Sequence, residues 1–130
     1  MNPKQFLVIG GAVLLLVGVL GYMGVIGSTP EESIFGSTWW FDNAENLAHT
    51  VLGLVALIMA FVLPASLQKP LVMVLGIIGV LVGLYSAVVS TAFLGANLEN
   101  PADTFLHLLV GAWALWASMK KQEVQYGAQM

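Results

Sequence analysis

Two histidines have the widest chemical use in this chain, and both have the same sequence context. His49 and His107 each follow an acid by four residues, Glu45 and Asp103, and each precedes a glycine by four. A spacing of four places the acid and the imidazole on one face of a helix. Two carboxyls and two imidazoles between helices suit Zn, Mn or Fe. The spacing therefore predicts one candidate metal set, formed by Glu45, His49, Asp103 and His107.

The same pair of histidines is also compatible with a tetrapyrrole. A glycine one turn after each histidine leaves flat space beside the ring, as axial ligation requires. Haem propionates favour basic partners, which this part of the chain lacks, so a chlorophyll-type pigment fits better than haem. In a third interpretation His49 and His107 stay neutral and only hydrogen-bond between helices, at about 0.6 kcal/mol per bond. Of the three interpretations we favour this one, and it implies no cofactor.

The composition indicates that these residues belong to a membrane protein. The chain has 130 residues, of which 58% are hydrophobic and 8% are charged, far below the roughly 25% charged residues of soluble proteins. So short a chain cannot bury that much apolar surface in water. A net charge of -3 argues against nucleic acid as a partner, and the lack of cysteine excludes thiol chemistry. No nucleophile elbow, P-loop or zinc-protease motif is present, so we expect no enzyme activity.

Four apolar segments are long enough to cross a hydrocarbon layer of about 30 Å. They are residues 6–26, 43–63, 71–94 and 101–119, joined by loops 27–42, 64–70 and 95–100. In this arrangement all four lysines fall on the side that holds both termini: Lys4, Lys69, Lys120 and Lys121. Because cytoplasmic segments carry the lysine excess, we expect a bacterial inner-membrane protein with both termini in the cytoplasm.

The second and fourth segments repeat each other at a shift of 58 residues. Asp42 aligns with Asn100 as a helix N-cap, and each is followed three residues later by an acid that completes a capping box. The sequence thus predicts an all-α integral membrane four-helix bundle, a single domain of two parallel helical-hairpin repeats. The repeats cover about residues 1–66 and 67–120, and a polar tail covers 121–130.

Small residues and aromatic residues predict where the helices touch one another and the membrane surface. Stripes of small side chains allow close helix packing in lipid, and here they comprise Gly53, Ala56, Ala60, Gly79, Gly83, Gly111, Ala114 and Ser118. In the first loop, Thr29 and Pro30 predict the start of a short helix with Glu32 at its third position. Trp39, Trp40 and Phe41 follow as predicted interfacial anchors.

The repeated pattern Asn/Asp-x-x-Glu/Asp-x-x-x-His-x-x-x-Gly resembles an uncharacterised family of small bacterial four-span membrane proteins. The resemblance implies the fold and no activity. We therefore expect a non-enzymatic accessory or structural subunit of a larger bacterial membrane complex, in contact with lipid and with other membrane subunits or further copies of itself. The alternative is a protein that binds a metal or a tetrapyrrole through His49 and His107.

Overall fold

The structure, a computed structural model, describes residues 1–99 and 101–120 and is mostly helical. Its four helices are α1 (Pro3–Tyr22), α2 (Asn43–Val62), α3 (Ala65–Val88) and α4 (Ala102–Ser118). A small hairpin of β1 (Ala92–Phe93) and β2 (Ala96–Asn97) precedes α4. Helices α1, α2 and α3 are long and apolar enough to cross a membrane, and α4 has 17 residues. The predicted polar tail, 121–130, lies outside the described residues.

Capping boxes start the first two helices. Asn2 and Gln5 form one at α1. At α2 the Glu45 amide donates to Asp42 Oδ1 at 2.9 Å and the Asp42 amide donates to Glu45 Oε1 at 3.5 Å, which confirms the predicted box. The matching box predicted at α4 is wrong: Pro101 is the N-cap, with no side-chain capping bond, and Asn100 lies outside the described residues. Asp103 Oδ2 instead accepts the Glu99 amide at 2.9 Å.

The loop predicted at residues 64–70 is wrong. Pro64 is the N-cap of α3, which starts at Ala65 and contains Pro70. Pro70 is the sixth residue of α3, beyond the first amides that have no helical partner, so it costs the helix one backbone hydrogen bond. The Gln68 side chain donates to the carbonyls of Ala60 and Leu63, at 2.9 and 3.1 Å, and so satisfies the end of α2.

The third segment also ends earlier than predicted. Helix α3 stops at Val88, and the chain then turns back on itself through β1 and β2. Leu94 and Gly95 link the two strands with φ angles of 50° and 84°. Two consecutive positive φ angles match the twist of a tight hairpin, as in type I′ turns. The first loop contains a 3-10 turn at Pro30–Glu32, but the Thr29 side chain makes no capping bond.

The four helices form two tightly packed hairpins. Helix α1 packs along α2 and α3 packs along α4, whereas the two hairpins meet over few residues. A Cβ atom on Gly53 would lie 2.5 Å from the Leu15 amide nitrogen, and one on Gly111 would lie 2.7 Å from the Val80 nitrogen. Gly53 and Gly111 therefore pack within their own hairpins, against α1 and α3.

The hairpins meet at the end that holds the N-terminus and Lys4, Lys69 and Lys120, which we call the lysine end. The core there includes Phe6, Leu7, Ala60, Val72, Ala114 and Ala117. The Phe6 and Trp113 rings touch edge to face across it, with centroids 4.6 Å apart. The opposite end carries Asp42, Glu45, Glu99 and Asp103, and we call it the acidic end.

Candidate functional site

A cavity of about 670 Å³ lies between the two hairpins. All four helices and the β hairpin line it, from Leu63 near the lysine end to Glu45 at the acidic end. Its ionisable lining residues are Glu45, His49 and His107, and almost all its other side chains are apolar. The cavity is therefore amphipathic, with its titratable groups gathered towards one end.

The structure brings both predicted histidines to this cavity. His107 Nδ1 lies 2.8 Å from the Asp103 carbonyl oxygen. Because a carbonyl only accepts, Nδ1 carries the proton and Nε2 is left as an acceptor or ligand. The His49 ring packs edge to face on Phe41, with centroids 4.7 Å apart. Its Nδ1 is buried and has no hydrogen-bond partner among the residues described.

Three carboxyl groups converge beside the histidines. One oxygen from each of Glu45, Glu99 and Asp103 lies within 4.8 Å of the others. The predicted metal set includes Glu45 and Asp103, but in the described part of the chain the third member of this cluster is Glu99 rather than a histidine. Glu99 was missed because it lies before α4, outside the repeated pattern. Because Glu99 lies outside α4, its spacing from Asp103 does not indicate a shared helix face, and no sequence pattern signals its place in the cluster.

Residues of the α1–α2 loop and the β hairpin hold the carboxyl cluster in place. Trp39 Nε1 donates to Asp103 Oδ1 at 3.0 Å. The Trp40 amide donates to Glu99 Oε1 at 3.0 Å, and the Asn97 side chain donates to Glu99 Oε2 at 3.3 Å. The bonds from Trp39 and Trp40 join the first hairpin to the second at the acidic end.

The aromatic residues predicted as interfacial anchors are part of this arrangement. Trp39 and Trp40 are half-buried, and Phe41 is only 3% exposed. The Trp39 and Phe41 rings are in edge-to-face contact at 5.1 Å. Phe41 thus packs between Trp39 and His49 as part of the site rather than standing out at the surface.

The electrostatics of the acidic end disfavour the simultaneous ionisation of all its carboxyl groups. Burial raises the pKa of Glu99 from 4.5 to about 7, and the charges of Asp103 and Asp42 act in the same direction. The Trp40 amide offsets part of this by donating to the carboxylate. The three lysines that the structure describes lie at the other end, where Lys4 and Lys120 contact the rings of Phe61 and Trp116.

Comparisons with known proteins identify no relative of this chain. No protein-family model, curated protein or solved structure matches the chain. The resemblance to small four-span bacterial proteins stays a prediction.

Proposed function

We propose that the protein is a four-span bacterial inner-membrane protein that binds a long-chain amphiphile between its two hairpins. The observation that carries this proposal is the apolar cavity of about 670 Å³ whose ionisable groups lie towards one end. Ligand pockets of roughly 300–1,000 Å³ that are mostly apolar, with a few convergent polar groups, are typical of small-molecule sites. The cavity has that size and that chemistry.

The shape of the cavity favours an extended chain over a flat ring. Along α2 the lining runs from Glu45 to Leu63, which at 1.5 Å per residue is about 27 Å, most of a hydrocarbon layer about 30 Å thick. An acyl or isoprenoid chain lying along the helices fits a space of that length.

The charges at the acidic end select the headgroup. Glu45 lines the cavity beside His49 and His107, and Glu99 and Asp103 lie next to Glu45. A phosphate group would meet these carboxyls at the end that holds none of the described lysines, so an anionic headgroup is disfavoured. A neutral headgroup that hydrogen-bonds, such as a hydroxyl or a quinone, fits the imidazoles and the Glu45 carboxyl.

A ligand dissolved in the bilayer would enter between the helices. Val13, Leu52 and Ile78 line the cavity and are each about half exposed, at 51%, 50% and 50%. The cavity therefore opens onto the apolar outer surface of the helices. A membrane-soluble molecule could reach it without crossing water.

The experiment is to purify the protein in a mild detergent, extract bound molecules and quantify them by mass spectrometry. We expect about one amphiphile per chain in the wild type. Ala48 lines the cavity, so Ala48→Phe should abolish retention of the amphiphile, whereas the neighbouring Leu47→Phe, which lies off the lining, should not. The proposal is overturned if no amphiphile is retained above background, or if both variants retain it equally.

A metal or tetrapyrrole on His49 and His107 is the second candidate. It is favoured by the His107 ring, whose Nδ1 is held by a backbone carbonyl, so that Nε2 is the nitrogen that would bind a metal, as second-shell hydrogen bonds arrange in most metal-ligating histidines. An absorption spectrum and an elemental analysis of the pure protein test it. The absence of a Soret or Q band and of a stoichiometric transition metal would contradict it.

The role of accessory subunit also stays a proposal, supported by exposed apolar side chains outside the helices. Ile34 and Phe35, in the α1–α2 loop, are 72% and 49% exposed and are available to a partner subunit. Extraction in a mild detergent, followed by identification of co-purifying proteins, tests this role. A monomer with no partner retained would contradict it.

The proposed orientation places the lysine end in the cytoplasm. The chain has no cysteine, so single cysteines can report it without background. In intact cells, a membrane-impermeant maleimide should label Ser37→Cys in the α1–α2 loop and leave Lys4→Cys unlabelled. The reverse pattern would contradict the proposed topology.

A further inference from the structure

The carboxyl cluster at the acidic end has the dimensions of a cation site. Glu45 comes from α2, Glu99 follows β2, and Asp103 comes from α4, and one oxygen of each lies within 4.8 Å of the others. Calcium binds oxygen at about 2.4 Å, so ligands on opposite sides of the ion are about 4.8 Å apart. A single calcium ion can therefore contact all three carboxyls.

A second observation, at Glu45, points to a missing ligand. Glu45 is only 4% exposed, and its buried Oε2 receives no hydrogen bond from an N–H group of the described residues. Its side chain can hydrogen-bond to Asp103 only if one of the two carboxyls carries a proton. The Glu45 carboxyl faces the charges of Asp103, Glu99 and Asp42. An unpartnered buried oxygen costs free energy, and so do several acids held together without a base. A divalent cation removes both costs at once.

The other oxygens of the cluster are oriented but retain capacity to bind. The two Asp103 oxygens accept from Trp39 Nε1 and the Glu99 amide, and the two Glu99 oxygens accept from Trp40 and Asn97. Each carboxylate oxygen has two lone pairs, so one donor leaves room for a metal ion. The donors fix the carboxyls in place, as the hydrogen bonds behind metal ligands do elsewhere.

We propose that Glu45, Glu99 and Asp103 bind a calcium ion that joins the two hairpins at the acidic end. Oxygen-only ligands suit a hard cation rather than a transition metal. Calcium is preferred to magnesium because it accepts longer bonds and irregular coordination. The site contains no histidine, so it differs from the predicted set, and it does not depend on the proposed amphiphile.

The test is calcium titration of the full chain, purified in detergent and stripped with EDTA, by calorimetry and by thermal unfolding. We expect one ion per chain and a rise in Tm on binding. Glu99→Gln keeps an acceptor for the Trp40 amide but removes a charge, so it should weaken calcium binding at least tenfold. Glu31→Gln, in the exposed 3-10 turn, is the matched control and should bind like the wild type.

Three outcomes would overturn the site. The first is the absence of saturable calcium binding up to millimolar concentration, the weak end of natural calcium sites. The second is equal binding by Glu99→Gln and Glu31→Gln. The third is tight binding of zinc or manganese, but not calcium, that is lost in His49→Ala, because it would assign the metal to the histidine set.

Discussion

Replacement of Gly53 by alanine tests how closely α1 and α2 approach. A Cβ atom at Gly53 would lie 2.5 Å from the Leu15 amide nitrogen, 2.7 Å from the Gly11 carbonyl oxygen and 2.9 Å from Leu15 Cα. All three are backbone atoms, so no side-chain rotation can relieve the contact. Ordinary contact begins at 3.4 Å, so the two helices must separate by several tenths of an ångström or more.

Two opposing terms determine how Gly53→Ala changes the free energy of unfolding. Overpacking typically costs about 1–3 kcal/mol. Replacing glycine by alanine inside a helix gains roughly 0.5–1 kcal/mol. Gly53→Ala should therefore be destabilising by up to about 2 kcal/mol. Gly10→Ala is the matched control, because its Cβ would meet only the Phe6 ring, at 3.7–3.9 Å, and it should be neutral or stabilising by up to about 1 kcal/mol.

Reversible unfolding in mixed detergent micelles measures both free energies. Gly111→Ala gives an internal comparison, because its Cβ would lie 2.7 Å from the Val80 nitrogen and 2.9 Å from the Gly76 carbonyl oxygen. We expect Gly53→Ala and Gly111→Ala to lose similar stability. If Gly53→Ala were as stable as Gly10→Ala, α1 and α2 would not pack backbone to backbone, and the account of the hairpins would be wrong.

Two further perturbations address the acidic end. Trp39→Phe removes the donor to Asp103 and should lower the free energy of unfolding by about 1–2 kcal/mol, whereas Trp40→Phe keeps the backbone amide that binds Glu99 and should cost less. Equal losses would contradict the role of the indole bond. In EDTA, stability should fall as pH rises from about 4.5 to 7, because the folded state holds a proton on Glu99 that the unfolded chain has already lost. Glu99→Gln should flatten that part of the stability curve in thermal melts, and an unchanged slope would contradict the raised pKa.

Much of the helical framework could be predicted from sequence because it depends on local chemistry. The capping box of Asp42 and Glu45 sets the start of α2. The spacing of four residues between Glu45 and His49 predicted that they share one face of α2, and both line the cavity. Hydropathy gave the spans of α1 and α2 to within a few residues at each end. Each of these features depends only on residues that belong to the same helix or to one of its turns.

Features that depend on contacts between distant segments could not be predicted in the same way. Pro64 and Pro70 both signal a helix boundary, and only the structure shows that Pro64 is the one used. Leu94 is an unusual residue for a positive φ, so the Leu94-Gly95 turn gives a weak hairpin signal. Glu99 joins the carboxyl cluster through Trp40, which lies 59 positions earlier, and no periodicity reports such a contact.

The cavity persists because the hairpins are joined at both ends and not in between. At the lysine end Phe6 packs on Trp113 across the hairpins, and at the acidic end Trp39 donates to Asp103. Between these contacts Gly53 faces α1 while His49, four residues earlier, lines the cavity. Four residues turn a helix by about 40° beyond a full turn, so residues of one stripe on α2 can face both α1 and the cavity. Tight packing within each hairpin thus turns the histidines towards the space between them.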